Sequence, residues 1–238
     1  NTVSPREIIN RFGADTVRVF ILFAGPPELD MEWSDQGVEG AFRFLNRVWR
    51  TVGRVIEFPT QEIEIDEGRM EALERKVHQT IFRVTRDIRE KFHFNTAISS
   101  LMELLNEMID YVRFLEEKGA SFEEKEILVF ASRTLVSLLN PIAPHLSEEL
   151  WQLLGEKDLL STESWPVYQK EKMYEEEVEV IVQINGRVRS KVVVSRGSSK
   201  EEVLALALQD EKVKSWLNHG EIKKSIYVPD KLINLVVG

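Results

Sequence analysis

Four arginines recur at a spacing that places them on one side of a helix. With Arg43 set at zero and about 100° of rotation per residue, the other three, Arg47, Arg50 and Arg54, fall within about 40° of it. Guanidinium groups match the geometry of phosphate and stay charged, so such a stripe suits contact with an RNA backbone. The alternative is a solvated helix face with a few ion pairs, in which Glu39 serves one arginine.

A second basic group lies in the helical segment 68–92, away from its apolar stripe. It includes Arg83 and Arg86, and acids such as Asp87 and Glu90 are interleaved with it. Opposite charges three or four residues apart on a helix can pair with each other. Ion pairs within the helix and contacts to RNA therefore both stay open, and we keep Arg83 and Arg86 as candidate RNA-binding residues.

A third basic group lies near the C-terminus, after the dipeptide Asn185-Gly186. That dipeptide is a strong signal for a tight hairpin, because both residues tolerate positive φ. In the strand that follows, Arg187, Arg189 and Lys191 alternate with other residues and are expected to share one face. Cations on an exposed sheet also discourage edge-to-edge aggregation, which is the alternative explanation. Four lysines of the same region complete the candidate RNA-binding set: Lys200, Lys223, Lys224 and Lys231.

Residue types that carry catalysis form no recognisable group in this sequence. There is no Gly-rich phosphate loop, no nucleophile motif and no outstanding carboxylate pair, and the four histidines lack metal-ligand spacing. The chain has no cysteine, which excludes disulfides and thiolate zinc sites. We therefore predict no catalytic residue, no metal site and no cofactor bound by this chain.

The elements that must position the basic groups are mostly helices. Apolar periodicity and end signals predict helices over 5–12, 14–23, 35–57, 68–92, 95–118 and 122–139, and a short one that starts after Pro144-His145 and runs through Trp151. After Trp165-Pro166 the period changes to two, with alternation from Val178 to Ile184, which predicts strands on both sides of a helix that runs from Ser199 to about Asn218. The predicted fold class is a mainly α helical bundle followed by a small α+β domain of ββαββ order, with a linker at about 167–177.

Charge is distributed unevenly over the 238 residues. The net charge of −9 argues against a bulk nucleic-acid binder. Residues 177–238, however, contain 10 Lys and Arg against 8 Asp and Glu, whereas the rest of the chain contains 21 against 32. A mildly basic tail on an acidic body is consistent with local, positioned contacts to RNA. No run of about 18 apolar residues occurs, so no transmembrane helix is expected.

Several ordered motifs resemble one family of class I aminoacyl-tRNA synthetases. Asn1-Thr2-Val3-Ser4-Pro5 and then Gly13-Ala14-Asp15-Thr16-Val17-Arg18 resemble the stretch that follows the KMSKS loop of that class, and Pro141-Ile142-Ala143-Pro144-His145 resembles a motif shared by the leucyl, isoleucyl, valyl and methionyl enzymes. The segments 32–45, 94–103, 182–189 and 227–238 are similar to bacterial leucyl-tRNA synthetases. The resemblance covers the whole chain.

The resemblance implies that catalysis and tRNA binding belong to different parts of the enzyme. The complete enzyme would activate leucine with ATP and Mg and esterify it to tRNA-Leu, using catalytic and editing portions that lie upstream of Asn1. Residues 1–34 would form a stem-contact segment, 35–172 an anticodon-binding-type bundle that contacts the tRNA body, and 177–238 a domain that reaches the tRNA elbow. The chain alone would be inactive and cytoplasmic, and would be a trimmed piece or part of the smaller subunit of a split enzyme.

Two alternatives remain at this stage. The chain could be the corresponding half of an isoleucyl or valyl enzyme, although isoleucyl relatives often carry a cysteine zinc site and valyl relatives end in a long heptad arm. It could also be a non-catalytic helical adaptor for protein partners, which predicts an exposed apolar patch in place of an arginine stripe. Salt-dependent binding of tRNA separates the adaptor from both synthetases.

Overall fold

The computed structural model describes residues 4–25, 32–175, 177–217 and 220–238. Over these residues the chain divides into two compact units, one that ends at Met173 and one that begins at Tyr174. The predicted helix end near Asn218 falls outside the described residues, as do the first three residues of the motif that opens the sequence. Within the described part of the chain, no helix is both long enough and apolar enough to cross a membrane.

Helices are the regular secondary structure of the first unit in its described ranges, as the sequence predicts. Its α-helices are α1 (Pro5–Phe12), α2 (Ala14–Ala24), α3 (Asp35–Glu57), α4 (Glu67–Lys91), α5 (Phe94–Lys118), α6 (Phe122–Leu139) and α7 (Pro144–Leu153), followed by 3₁₀ turns at Leu160–Thr162 and Glu171–Met173. Helices α3 and α4 begin at side-chain caps: the Ser34 hydroxyl accepts from the amide of Gly37 at 3.1 Å, and the Asp66 carboxylate accepts from that of Arg69 at 3.0 Å. The helical-bundle prediction is confirmed.

Helix α5 forms the centre of the bundle and contacts α2, α3, α4 and α6. It contributes a row of fully buried side chains at helical spacing: Leu101, Leu104, Leu105, Met108 and Leu115. Side chains spaced by three and four residues share one helix face, so this row forms the apolar face that α5 buries against the neighbouring helices. The arginine-bearing helix α3 is packed against this core by its opposite, apolar side.

One buried carboxylate fastens the connection between α3 and α4 to the start of α6. Glu124 is fully buried and accepts hydrogen bonds from the amides of Ser121 at 3.0 Å and Asp66 at 3.1 Å, and from the ammonium of Lys118 at 2.8 Å. Burial opposes ionisation of this group, but the bonds from Lys118 and the two amides together hold the pKa of Glu124 below its usual value. The carboxylate therefore serves as a charged anchor inside the bundle.

The segment expected to be a linker is largely bound to α4. The indole N–H of Trp165 donates to Thr85 at 2.8 Å, and the amide of Gln169 donates to Nδ1 of the buried His78 at 3.2 Å. The Gln79 side chain donates to the carbonyl of Met173 at 2.7 Å. The linker prediction at 167–177 is therefore wrong for residues up to 173, because polar groups of α4 satisfy this segment's backbone.

The second unit is a four-stranded sheet with two helices on one face. The strands are β1 (Glu177–Ile184), β2 (Arg187–Ser195), β3 (Ile222–Val228) and β4 (Leu232–Val237), and the helices α8 (Lys200–Gln209) and α9 (Glu211–Leu217) lie between β2 and β3 in sequence. The strand order is β2-β1-β4-β3, with β1 and β4 parallel and the other neighbours antiparallel. The predicted small α+β domain is confirmed, and its hairpin turn has positive φ at Asn185 and Gly186.

The single helix predicted after Ser199 is divided in two at Asp210. Ser199 and Glu202 form the expected capping box at the start of α8. Asp210 has an extended backbone, and its carboxylate accepts from the amides of Lys212 at 2.8 Å and Val213 at 3.1 Å. An aspartate that caps the following amides begins a new helix, so the order is ββααββ.

Candidate nucleic-acid interface

All four arginines of α3 lie on its exposed side, while its buried residues face the bundle. The predicted orientation of the helix is therefore confirmed: Ala41, Leu45 and Val52 are buried. We call the set Arg43, Arg47, Arg50 and Arg54 the α3 stripe. It presents four fixed charges along about three turns of one helix.

Neighbouring side chains hold the α3 stripe only loosely. Arg43 lies 3.6 Å from Glu39 and Arg54 lies 3.5 Å from Glu116, and both pairs are exposed. Arg47 donates to the side-chain oxygen of Asn106 at 2.6 Å. Arg50 makes no hydrogen bond or ion pair within the described ranges. Exposed pairs contribute about 0–1 kcal/mol each, so these guanidinium groups can exchange their partners for phosphate at small cost.

The two candidate arginines of α4 are more strongly engaged. Arg83 shares the Glu103 carboxylate with Lys76, at 3.2 and 2.7 Å, and the hydrogen bond from Lys76 is the main reason that the pKa of Glu103 is lowered. Arg86 donates twice to one oxygen of Asp87, at 3.0 and 2.8 Å, and Asp87 is only 5% exposed. Because Arg86 neutralises a buried carboxylate, its geometry indicates a structural role, and we leave it out of the interface proposed below.

The β1–β2 hairpin contains a bulge that the alternating sequence pattern does not predict. Gln183 pairs with Val188 and Val182 pairs with Ser190, so Arg189 is an additional residue in β2. An extra residue in one strand shifts the alternation of side chains beyond it. Arg189 consequently points, like Ser190, towards the face that carries α8 and α9.

The prediction that three cations share one strand face is therefore wrong. Arg187 lies opposite a buried residue of β1, which puts it on the helix-bearing face with Arg189. The guanidinium carbon of Arg189 lies 3.6 Å from the centroid of the Trp216 ring in α9. Lys191 lies on the opposite face and pairs with Glu179 at 2.6 Å. The hairpin thus presents its cations to two sides of the sheet.

The four remaining candidate lysines are dispersed over the small domain. Lys200 is half-buried in the first turn of α8, whereas Lys223 and Lys224 are exposed on the edge strand β3. Lys231 is exposed in the turn before β4. Because these lysines lie on three different elements, α8, β3 and the turn before β4, contact to RNA through all of them would use an extended surface.

No group of three or more His, Cys, Asp or Glu residues that could hold a metal occurs in the described ranges.

Sequence reasoning missed a pair of interlocking contacts between α2 and the turn that joins α6 to α7. The carboxylate of Asp15 accepts from the amide of Leu146 at 2.7 Å and lies 2.7 Å from Nδ1 of His145. Arg18 donates to the carbonyls of Ile142 at 2.9 Å and Pro141 at 2.8 Å. Asp15 and Arg18 belong to one of the motifs described above, and residues 141–145 belong to another. The presence of both motifs in the sequence was the only signal that these segments contact each other. The contacts fix the entry helices to the bundle.

Comparison with known proteins agrees with this architecture. Residues 71–204 match the family described as the anticodon-binding domain of tRNA ligase. The chain belongs to this family. Its whole length also aligns with the leucine–tRNA ligase of Geobacter sp. (strain M21) at 44% identity over 241 residues, and with that of Petrotoga mobilis (strain DSM 10674 / SJ95) at 43% over 242 residues. The chain spans 29% of the length of each of these relatives.

Solved structures of two synthetases have the same fold. A LeuRS of Agrobacterium radiobacter K84, crystallised in a ternary complex with tRNA and LeuAMS, matches all of this chain and 31% of its own length, with a TM-score of 0.72 and 34% identity. The apo methionyl-tRNA synthetase of Mycobacterium tuberculosis matches 65% of this chain with a TM-score of 0.53, and at 19% identity it shows the fold alone. The resemblance to leucyl enzymes is confirmed, and the isoleucyl, valyl and adaptor alternatives are not supported.

Proposed function

We propose that this chain is the tRNA-binding part of a leucine–tRNA ligase and that the α3 stripe is its main contact with the tRNA body. The observation that supports this most directly is the row of four exposed, weakly paired arginines on one side of α3. Phosphate contacts of this type position an RNA without reading its bases. The alignment with leucine–tRNA ligases over the whole chain supports tRNA-Leu as the partner.

The second unit adds a weaker, distributed contact in this proposal, and the tRNA elbow is its target. The helix-bearing face offers Arg187 and Arg189, while the opposite face and the edge offer Lys191 and Lys224. The segment 177–238 carries two more basic than acidic residues, which supports contact with a polyanion. The entry helices α1 and α2 serve as the stem-contact segment.

Catalysis is assigned to a different part of the enzyme. The complete ligase uses ATP with Mg, whereas this chain carries no motif for either and binds no cofactor. Its partners are tRNA-Leu and the catalytic and editing portion, in the same polypeptide or as a separate subunit, in the cytoplasm. The chain alone is expected to give no ATP–pyrophosphate exchange, and measurable exchange would contradict this assignment.

Binding of a tRNA-Leu transcript at several salt concentrations tests the α3 stripe. Each lost phosphate contact lowers the slope of log K against log salt concentration by about one unit. The Arg50→Gln variant is expected to weaken binding and reduce the slope by about one. The double variant Arg47→Gln/Arg50→Gln should reduce the slope by about two. Unchanged slopes in both variants would rule out the α3 stripe as the interface.

A matched control comes from Arg133 on α6, which lies outside the α3 stripe and is bound to Glu156 at 2.8 Å. Arg133→Gln removes the same charge from a half-buried helix position, so it should leave the slope unaltered. A similar loss of affinity in this variant and in Arg50→Gln would mean that general charge, and not the α3 stripe, drives binding.

A further inference from the structure

A groove of about 340 Å³ lies beside the α3 stripe, with walls from α1, α2, α3 and α7. Phe12 meets Phe42 edge-to-face there, with ring centroids 5.5 Å apart, and Trp49 and Leu146 continue the apolar lining. Phe42 is 40% exposed and Trp49 is 42% exposed. Contiguous apolar surface of this kind marks an interaction site more often than isolated exposed residues do.

The groove and the α3 stripe share one helix. Phe42, Asn46 and Trp49 lie about 60–120° around α3 from Arg43, directly beside the arginines. The Asn46 amide group donates to the carbonyl of Phe42, and its side-chain oxygen has no hydrogen-bond partner among the described residues. Within the described ranges, the indole N–H of Trp49 also has no hydrogen-bond partner. An aromatic surface with one unused donor and one unused acceptor thus adjoins a row of cations.

The charges around the groove favour a polyanion as its occupant. Among the residues that the structure describes, Asp15 is the one acid that lines the groove, and both of its oxygens are already engaged by His145 and Leu146. The guanidinium group of Arg11 lies 4.7 Å from the centroid of the Phe12 ring at the border. An apolar protein segment gains nothing from such a cationic rim, whereas a nucleotide uses both the aromatic faces and the rim.

We propose that the groove is a nucleotide subsite, in which one unpaired nucleotide of the bound tRNA stacks its base on Trp49. The flanking phosphates then lie on Arg43 and Arg50. This inference rests on the tRNA binding proposed above and adds to it a stacking contact that charge alone does not provide. Unpaired bases are the parts of a folded RNA that side chains can stack against.

The test uses the whole chain and a tRNA-Leu transcript. Loss of one base–aromatic stack weakens binding by about 5- to 150-fold, so Trp49→Ala and Trp49→Leu should both show a loss in this range. Trp49→Phe retains an aromatic face and should bind within about threefold of the parent. Because no phosphate contact is removed, the salt slope should stay constant in all three variants, unlike that of Arg50→Gln.

Controls separate the possible outcomes. Phe122→Ala removes an exposed aromatic side chain of α6 that does not line the groove, and it should bind like the parent. Failure of the parent chain to bind tRNA would refute the proposed function itself. Normal binding by the parent and by Trp49→Ala would refute the subsite alone. Full affinity for tRNA in Trp49→Leu would also refute the subsite, because leucine offers no aromatic face on which a base can stack.

Tryptophan fluorescence tests the stacking contact even if the Trp49→Ala variant unfolds. A base stacked on Trp49 should quench the tryptophan fluorescence of the parent chain more than that of Trp49→Phe at saturating tRNA. Equal quenching in the two proteins would overturn the stacking contact, whatever the behaviour of the other variants. The helical circular dichroism of each protein should be recorded beside the titration.

Discussion

Replacing Asp15 with alanine is expected to lower the free energy of unfolding of the helical unit by about 2–3 kcal/mol. The carboxylate is only 7% exposed and accepts the amide of Leu146, in the first turn of α7, at 2.7 Å. A hydrogen bond to a charged acceptor contributes about 1.5–3 kcal/mol. The second contact, to the exposed His145, adds less than about 1 kcal/mol. Asp15→Asn retains an acceptor and loses mainly the favourable charge at the helix N-terminus, about 1 kcal/mol.

Urea unfolding followed by helical circular dichroism measures these values, and unchanged m-values support the comparison between variants. Hydrogen exchange adds a local signal, because the amide of Leu146 should exchange faster in Asp15→Ala than in the parent chain. Glu149→Ala removes an exposed acid from the same helix and is the matched control, with an expected effect within about 0.5 kcal/mol. An alanine effect as small as that of the control, with unaltered exchange at Leu146, would refute the capping role of Asp15.

Three further outcomes follow from other contacts. Glu124→Gln should destabilise the bundle by about 3–5 kcal/mol in urea unfolding, since it leaves Lys118 without its buried partner; the exposed Glu123 offers the control Glu123→Gln. Burial lowers the pKa of His78, so the unfolded chain binds a proton more readily; stability should fall as pH decreases through about 6.5, and the decrease should be smaller in His78→Gln. Ser199→Ala removes the cap of α8 and should cost about 1 kcal/mol, seen as a lower denaturation midpoint of the small domain.

Local patterns in the sequence predicted most of the helical framework, because periodicity and end signals act over a few residues. The exposed side of α3 could be read from the spacing of its arginines alone. The break between α8 and α9 at Asp210 could also be predicted locally, since an aspartate within a helical pattern can cap and begin a new helix. That signal competed with a continuous helical pattern, which masked it.

Contacts between distant residues could not be read in the same way. The bulge at Arg189 depends on the register between two strands, and alternation within one strand does not specify it. The contacts of Asp15 join residues 130 and 131 positions apart in the chain. The groove at Trp49 likewise exists only where four helices meet. The α3 stripe could therefore be predicted from the sequence, whereas the aromatic surface beside it could not.

Arg18 binds main-chain carbonyls, and Asp15 binds a main-chain amide. These main-chain groups do not depend on the side chain, except that proline lacks the N–H, so the segment 141–146 is recognised mainly by its backbone shape, with one additional side-chain contact from His145. Substitutions that change that shape, such as the loss of Pro141 or Pro144, should therefore disturb these contacts more than the loss of the exposed His145 side chain. The helix α2 and this turn should therefore be exchangeable between distant relatives as independent segments, without matched changes in the other partner.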